Sequence, residues 1–375
     1  MRLKLVWGGM LTAAVLVVLA ACGSDPTSTS VPPTSTTAAQ ATGAPTMAPT
    51  MAPTMAPVEA KEIKLIGAWP QGITITDWQE AAMIAKMNEL SAGSLDIGRV
   101  AGPAEVHQAE QAEAVRQNIY QMVHTASAYF RELTQLPNVE AWVGGAPVAT
   151  RESCGLEDIF REIYDESIGI YYLGPSAYRS SAHIYLSELA NEDRSTVDLT
   201  GLKLRGHALY QGGTEALGGS IVNMPSSDVY TGVQRGVIEG SIAGGDWMYA
   251  RDVKWDEIMN FVYNVNLDNE SGHVYVNKST WLGMTKQQQD AMYNGLVVTF
   301  EELEPELAAR KAEALATLEE RGVEVITPPD AEIARVQGLW LEKNVPSVLT
   351  GDPDGPRVLT ALQCIWKEVG LVVNL

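Results

Sequence analysis

MPSSDVYTGVQRGVIEG, Met224–Gly240, holds a short apolar helix pattern between a serine pair and a glycine, with no obvious catalytic group. It follows closely on DLTGLKLRG, Asp198–Gly206. Read together, the two stretches set the fold class. GLKLRG has the short apolar alternation of a strand, LYQGGTEALGG is a helix pattern closed by Gly218-Gly219, and SIVNMP is a second strand. Ser226 or Ser227 is placed to cap a helix SDVYTGVQRG that Gly236 stops, and VIEGSIAGG supplies the next strand. Strand–helix–strand units of this length pair in parallel through right-handed crossovers, so this region predicts an α/β domain.

The same rhythm occurs earlier. EIKLIGAW (Glu62–Trp69) reads as a strand, and TDWQEAAMIAKMNELSAG as a helix with Thr76 and Gln79 at capping-box spacing and Gly93 at its end. SLDIGRV is a strand, AEVHQAEQAEAVRQN a polar-faced helix and YQMVHTA a third strand. Further on, GHVYVNKSTWLGMT reads as a strand and turn. A long helical pattern then runs from Thr285 to about Gly322, with Pro305 inside it. Proline removes one helix hydrogen bond and clashes with the preceding turn, so a kink near Glu301–Pro305 is expected. GVEVITPP and two more helix patterns complete the chain.

The ends and the composition set the compartment. Arg2 and Lys4 precede an apolar run over residues 11–21, then Cys22, which is the order of a secretory leader and too short for a spanning helix. Leu19-Ala20-Ala21-Cys22 resembles a bacterial lipobox, which implies cleavage before Cys22 and its acylation; ordinary leader cleavage with Cys22 incidental is the plainer alternative. Residues 22–57 are rich in Pro, Thr, Ala and Met, a composition that cannot bury a core and suits a tether. The formal charge is −20, and −22 once Arg2 and Lys4 leave with the leader. That argues against nucleic acid as a partner but not against a small acid, because one cation focused in a cleft outweighs a diffuse surface. Beyond Cys22 only Cys154 and Cys364 remain; the compartment permits a bridge, and the sequence leaves open whether they come within reach.

The pattern D-L-x-G-x-K-x-R, then E-A-L-G, then P-x-x-E-V-Y-x-A-L-Q-x-G-x-x-D-G is that of the substrate-binding subunits of TRAP transporters, the DctP-type family. This chain resembles it through Asp198, Gly201, Lys203 and Arg205, through Glu215–Gly218, and through Pro225, Asp228, Val229, Tyr230, Gln234, Gly236, Glu239 and Gly240, with acidic swaps at 228 and 239. The resemblance implies a two-lobe α/β fold, like that of periplasmic binding proteins, with a ligand cleft between the lobes and a long kinked helix spanning both. The lobes would comprise residues 58–182 and 271–310, and residues 183–270 and 311–375, after a leader (1–21) and a tether (22–57). It further implies an extracytoplasmic solute receptor, not an enzyme, which binds an organic acid and delivers it to TRAP permease subunits, with the membrane reached only through a lipid on Cys22. Arg205 matches the family arginine that pairs with the ligand carboxylate, and a planar guanidinium suits that task on its own chemistry.

The loop GSIAGGDW departs from the family. Ala243 falls where many members place a ligand-contacting Asn, and Ile242-Ala243 replace the Glu-Trp pair with which some hold a metal ion, so neither a metal nor another cofactor is expected. Trp247 is a candidate pocket wall, or else a core aromatic. Trp69 ends the first strand, where α/β lobes gather ligand groups; Ser127 and Tyr129 follow the third strand, and His207 follows Arg205. Two rival functions remain. An enzyme is disfavoured because H-E-x-x-H, C-x-x-C, G-x-S-x-G and G-K-[ST] spacings are all missing. A membrane-tethered sensor that presents a small acid to a signalling partner would use the same cleft.

Overall fold

In β1 (Lys61–Gly67) Ile63 and Leu65 are buried while Glu62 and Lys64 are exposed, the alternation of a strand with one packed face; its last three residues are all buried. The computed structural model describes residues 59–375 apart from 131, 132, 144, 244, 245, 372 and 374. The leader, the tether and Cys22 lie outside the described residues.

The remaining strands are β2 (Leu95–Ala101), β3 (Met122–Thr125), β4 (Ile170–Ser181), β5 (His183–Leu186), β6 (Lys203–Arg205), β7 (Ser220–Val222), β8 (Gly240–Ala243), β9 (Phe261–Tyr263), β10 (Asn269–Asn277) and β11 (Glu324–Ile326). They form a five-stranded sheet, β2-β1-β3-β10-β4, and a six-stranded sheet, β11-β9-β5-β8-β6-β7. In the first, β1 pairs in parallel with β2 and β3, and β10 runs antiparallel to β3 and β4. In the second, β6 pairs in parallel with β7 and β8, as the opening motif predicts.

The chain crosses between sheets at Ala182 and over residues 264–268. These crossings are stitched together, since Ala182 N donates to Asp268 Oδ1 at 3.1 Å and Leu267 N donates to Ala182 O at 2.9 Å. The long helical pattern makes the third link. It is two helices, α9 (Lys286–Glu302) and α10 (Glu304–Glu320), meeting at Leu303, with Pro305 in the first turn of α10, where its missing N–H costs nothing. Thr285 and Gln288 form a capping box at the start of α9. Among the other helices are α1 (Ala81–Leu90), α2 (Gln111–Arg116), α3 (Val148–Ser153), α4 (Leu156–Ser167), α5 (Gln211–Ala216), α6 (Val229–Gln234), α7 (Asp246–Asp252) and α8 (Lys278–Leu282). Two close the chain, α11 (Asp330–Leu349) and α12 (Gly355–Glu368). α9 packs on α1 and β4 of the first layer, while α10 packs on α7 of the second. Among the described residues no helix is long and apolar enough to cross a membrane.

Two local expectations are corrected. Thr76 does not cap α1. It lies inside a π-helical segment, Ile75–Glu80, where its hydroxyl donates to Ile73 O at 3.0 Å, and the wider turn carries Gln79 and Glu80 inward. The helix expected across Ala104–Asn118 shrinks to a 3₁₀ turn (Gln108–Glu110) and the short α2, because Gln108 and Gln111 turn in to donate to Ala68 O and Gly67 O. The cysteine question closes in favour of a bridge: Cys154, between α3 and α4, is bonded to Cys364 of α12 with Cα atoms 5.8 Å apart. A cross-link 210 residues long restricts the unfolded chain and pins the last helix to the first layer.

Candidate functional site

The signature residues mostly build a platform. Asp198 Oδ1 accepts from Thr200 N at 2.9 Å, which makes the turn that Gly201 completes at φ 80°. Glu239 Oε2 accepts from Lys203 N at 2.7 Å and so locks β6 to the entry of β8. Gly240 has no room for a side chain, since a Cβ would stand 2.2 Å from Tyr185 O. Tyr230 donates to Glu257 at 2.6 Å and holds α6 in place. On this platform Leu204 turns into the core and Arg205 comes out at the carboxyl end of β6.

Arg205 is only 3% exposed, yet its hydrogen bonding is incomplete. Nε donates to Met224 O at 3.0 Å, and among the described residues no carboxylate pairs with the guanidinium. It borders a cavity of about 200 Å³. Arg205, His207 and Asn223 line it from the second layer, and His107, Gln108 and Tyr129 from the first. The Tyr129 and His207 rings meet edge-on across it, 5.9 Å apart. Among the described residues no Asp or Glu lines the cavity. The arrangement is one of donors and aromatic edges around a fixed cation, which suits a small anion.

Of the candidates named from sequence, Arg205, Tyr129 and His207 therefore share one cavity. Ser127 is buried beside it without lining it. Trp69 and Trp247 lie together in an apolar cluster that also holds Ile73, Ile75 and Met248. The Trp69 ring meets His124 edge-on at 5.0 Å, and its carbonyl accepts from Arg99 Nη2 at 2.5 Å. His124 is fully buried between Glu80 Oε2 and Ser176 Oγ, both at 2.8 Å. Burial opposes the charge on Glu80, but the hydrogen bond and charge of His124 and the charge of Arg99 more than offset it, so its carboxyl is held below the usual range. Sequence reasoning missed His107, Gln108 and Asn223. Asn223 directly follows β7, so the strand-end rule that singled out Trp69 would have found it; the other two fall in the polar-faced helix expected over Ala104–Asn118 and reach the cavity only because that helix shrinks to a 3₁₀ turn there.

Trp247 stacks on His183 with ring centroids 4.0 Å apart, and Asp246 anchors the start of α7. Its carboxylate accepts from Lys311 Nζ of α10 at 2.6 Å and lies 3.4 Å from His183 Nε2. Burial would raise its pKa, but His183 and Lys311 win and lower it to about 2. The folded value lies below the ordinary one, so the stabilisation is present above about pH 4 and fades as pH falls towards 2. Asp246→Asn, which keeps a residue tolerant of the local φ of 60°, is expected to cost about 2 kcal/mol at pH 7. Urea unfolding at pH 7 and pH 3 checks this, and an equal gap at both would refute the linkage. Among the described residues no three His, Cys, Asp or Glu side chains converge as a metal site.

Comparison with known proteins bears on this geometry. Residues 177–340 match the DctP model, bacterial extracellular solute-binding protein, family 7. Over that stretch, which holds Arg205, the chain is similar to the DctP family. Solved structures agree on the fold. A TRAP periplasmic solute-binding protein of Desulfovibrio salexigens with bound orotic acid superposes with a TM-score of 0.72 at 14% identity, over 82% of this chain and 99% of that one. One from Xanthobacter autotrophicus Py2 with bound β-D-galacturonate gives 0.64 at 17% identity, over 80% and 99%. A Bordetella pertussis extracytoplasmic solute receptor binding pyroglutamic acid gives 0.63 at 16% identity, over 81% and 100%. The family match runs from within β4 to within α11 and so includes Arg205, while the structural likeness extends to both sheets.

Proposed function

We propose that the chain is an extracytoplasmic receptor that binds an organic acid through Arg205 and delivers it to the membrane subunits of a TRAP-type transporter. The observation that carries this is a buried guanidinium with, among the described residues, one backbone partner and no carboxylate, turned to a cavity walled by both layers. An anion completes that guanidinium, and a bidentate carboxylate does so best. Tyr129 and His207 meet the rest of the ligand, with His107, Gln108 and Asn223 offering further hydrogen bonds. Trp69, Trp247 and Ser127 shape the site from behind that wall. The solved structures named above bind orotic acid, β-D-galacturonate and pyroglutamic acid, which favours the same ligand class here.

The lobes, 58–182 with 271–310 and 183–270 with 311–375, would close on the ligand by bending at the two crossings and at Leu303, with the closed state favoured by the ligand's differential affinity. A thermal-shift screen of monocarboxylates, dicarboxylates and neutral sugars is expected to pick out acids; a clear preference for a neutral sugar overturns the reading. The acid-binding body is held at the membrane by a lipid on Cys22. Mass spectrometry of the mature amino end from the native host is expected to find an acylated Cys22, and a free cysteine or another cleavage point would refute the anchor.

A further inference from the structure

A second cavity, larger and somewhat more apolar, lies at the joint of the long helix. It measures about 600 Å³ and opens between α3 and the junction of α9 with α10. Val148 of α3 with Val297 and Phe300 of α9 makes its floor; Val148 and Phe300 are each 8% exposed. Glu152 of α3, Glu301 of α9 and Glu304 of α10 stand around it; among the described residues no Lys or Arg lines it, although Glu152 also pairs with Arg161 of α4 at 3.5 Å. Tyr293, also in the lining, is turned to Glu152 through its hydroxyl.

An apolar floor inside a ring of carboxylates is matched by an apolar side chain flanked by cations. The position adds a second consideration. α9 is packed on the first layer and α10 on the second, so any change in the angle between the layers must be taken up where they meet, at Leu303. Glu304 then moves relative to Val297, Phe300 and Glu301, and the groove changes width. A partner seated there feels whether the receptor is open or closed.

We propose that this groove docks a basic segment of a membrane subunit of the transporter, a leucine- or phenylalanine-sized side chain between lysines or arginines, and that the fit depends on the angle at the α9–α10 joint. This rests on the transport reading above, and its test is separable from it. The photo-crosslinking residue p-benzoylphenylalanine is placed at Val297 in the full-length chain in its native host. The expected result is an adduct with a membrane subunit of the transporter, reduced at least tenfold by Glu301→Lys with Glu304→Lys. Its yield is expected to change at least threefold when the medium carries the acid giving the largest shift in the screen. The purified double variant is expected to keep the wild-type thermal shift with that acid. Adducts only to lipid or to soluble proteins, or a yield indifferent to charge reversal, overturn the docking. A yield indifferent to the acid overturns the dependence on closure. Failure of every acid to shift the wild-type protein faults the receptor reading instead, a result the crosslink does not affect.

Discussion

Arg205→Ala is expected to weaken binding of the selected acid by two to four decades, a loss of about 3–5 kcal/mol. The size follows from where the residue sits. The guanidinium is buried at the end of β6, so truncation strands the ligand carboxylate in a walled cavity with His207, Tyr129 and Gln108 but no full cation. Arg205→Lys is expected to recover only part, because an ammonium reaches as a point charge and cannot form two parallel bonds. Stability without ligand is expected to change little: among the described residues the side chain donates one hydrogen bond, to Met224 O, and makes no ion pair. Calorimetry on the three proteins and urea unfolding of the free forms make the comparison. Near-normal binding by Arg205→Ala would remove it from the site. A large loss of free-state stability would make it a structural residue.

How far the chain could be read in advance depended on how local the cause was. Arg205 was legible because its strand, its turn at Gly201 and its helix stop at Gly236 are each encoded within a few residues. The break at Leu303 was legible for the same reason, since Pro305 acts on its own turn. β4 was not. IYYLGPSAYRSS carries Gly174 and Pro175, which read as a strand breaker. The structure accommodates them because β4 is an edge strand and its pairing with β10 shifts register beside Pro175. The π-helical turn at Ile75–Glu80 was hidden because its cause is distant: Glu80 is held by Arg99 and His124, 19 and 44 residues away. The far wall of the cavity was hidden likewise, because His107 and Gln108 become site residues only once β1 is paired between β2 and β3.

The other large effect is expected at a residue that no motif marks. Arg151 of α3 is 2% exposed and sits between two carboxylates. Its Nε donates to Glu157 Oε1 at 2.6 Å, and its Nη2 pairs with both Glu157 and Glu140. Burial opposes the guanidinium charge, and the two carboxylates more than offset that, so its pKa is raised well above the ordinary value. His273 of β10 lies against Glu140 and is held neutral, its pKa driven far down by burial and then by Arg151. Arg151→Met would therefore take from Glu140 and Glu157 the buried cation they share. The expected cost is about 3–5 kcal/mol, a fall in Tm of roughly 5–10 °C. Adding Glu140→Gln and Glu157→Gln to the same protein is expected to restore much of the loss, because the penalty comes from the stranded charges more than from the missing bonds. An Arg151→Met protein as stable as wild type would refute the argument. A triple variant no better than the single one would put the cost in packing instead. The consequence for function runs through α3. Arg151 ties that helix to α4, and the Cys154–Cys364 bridge next to it ties the same corner to α12. Val148 and Glu152, which the groove at the helix joint requires, are three residues before Arg151 and one after it. Loosening Arg151 is therefore expected to lower the Val297 crosslink while leaving acid binding at Arg205 intact, because the cavity there takes no residue from α3.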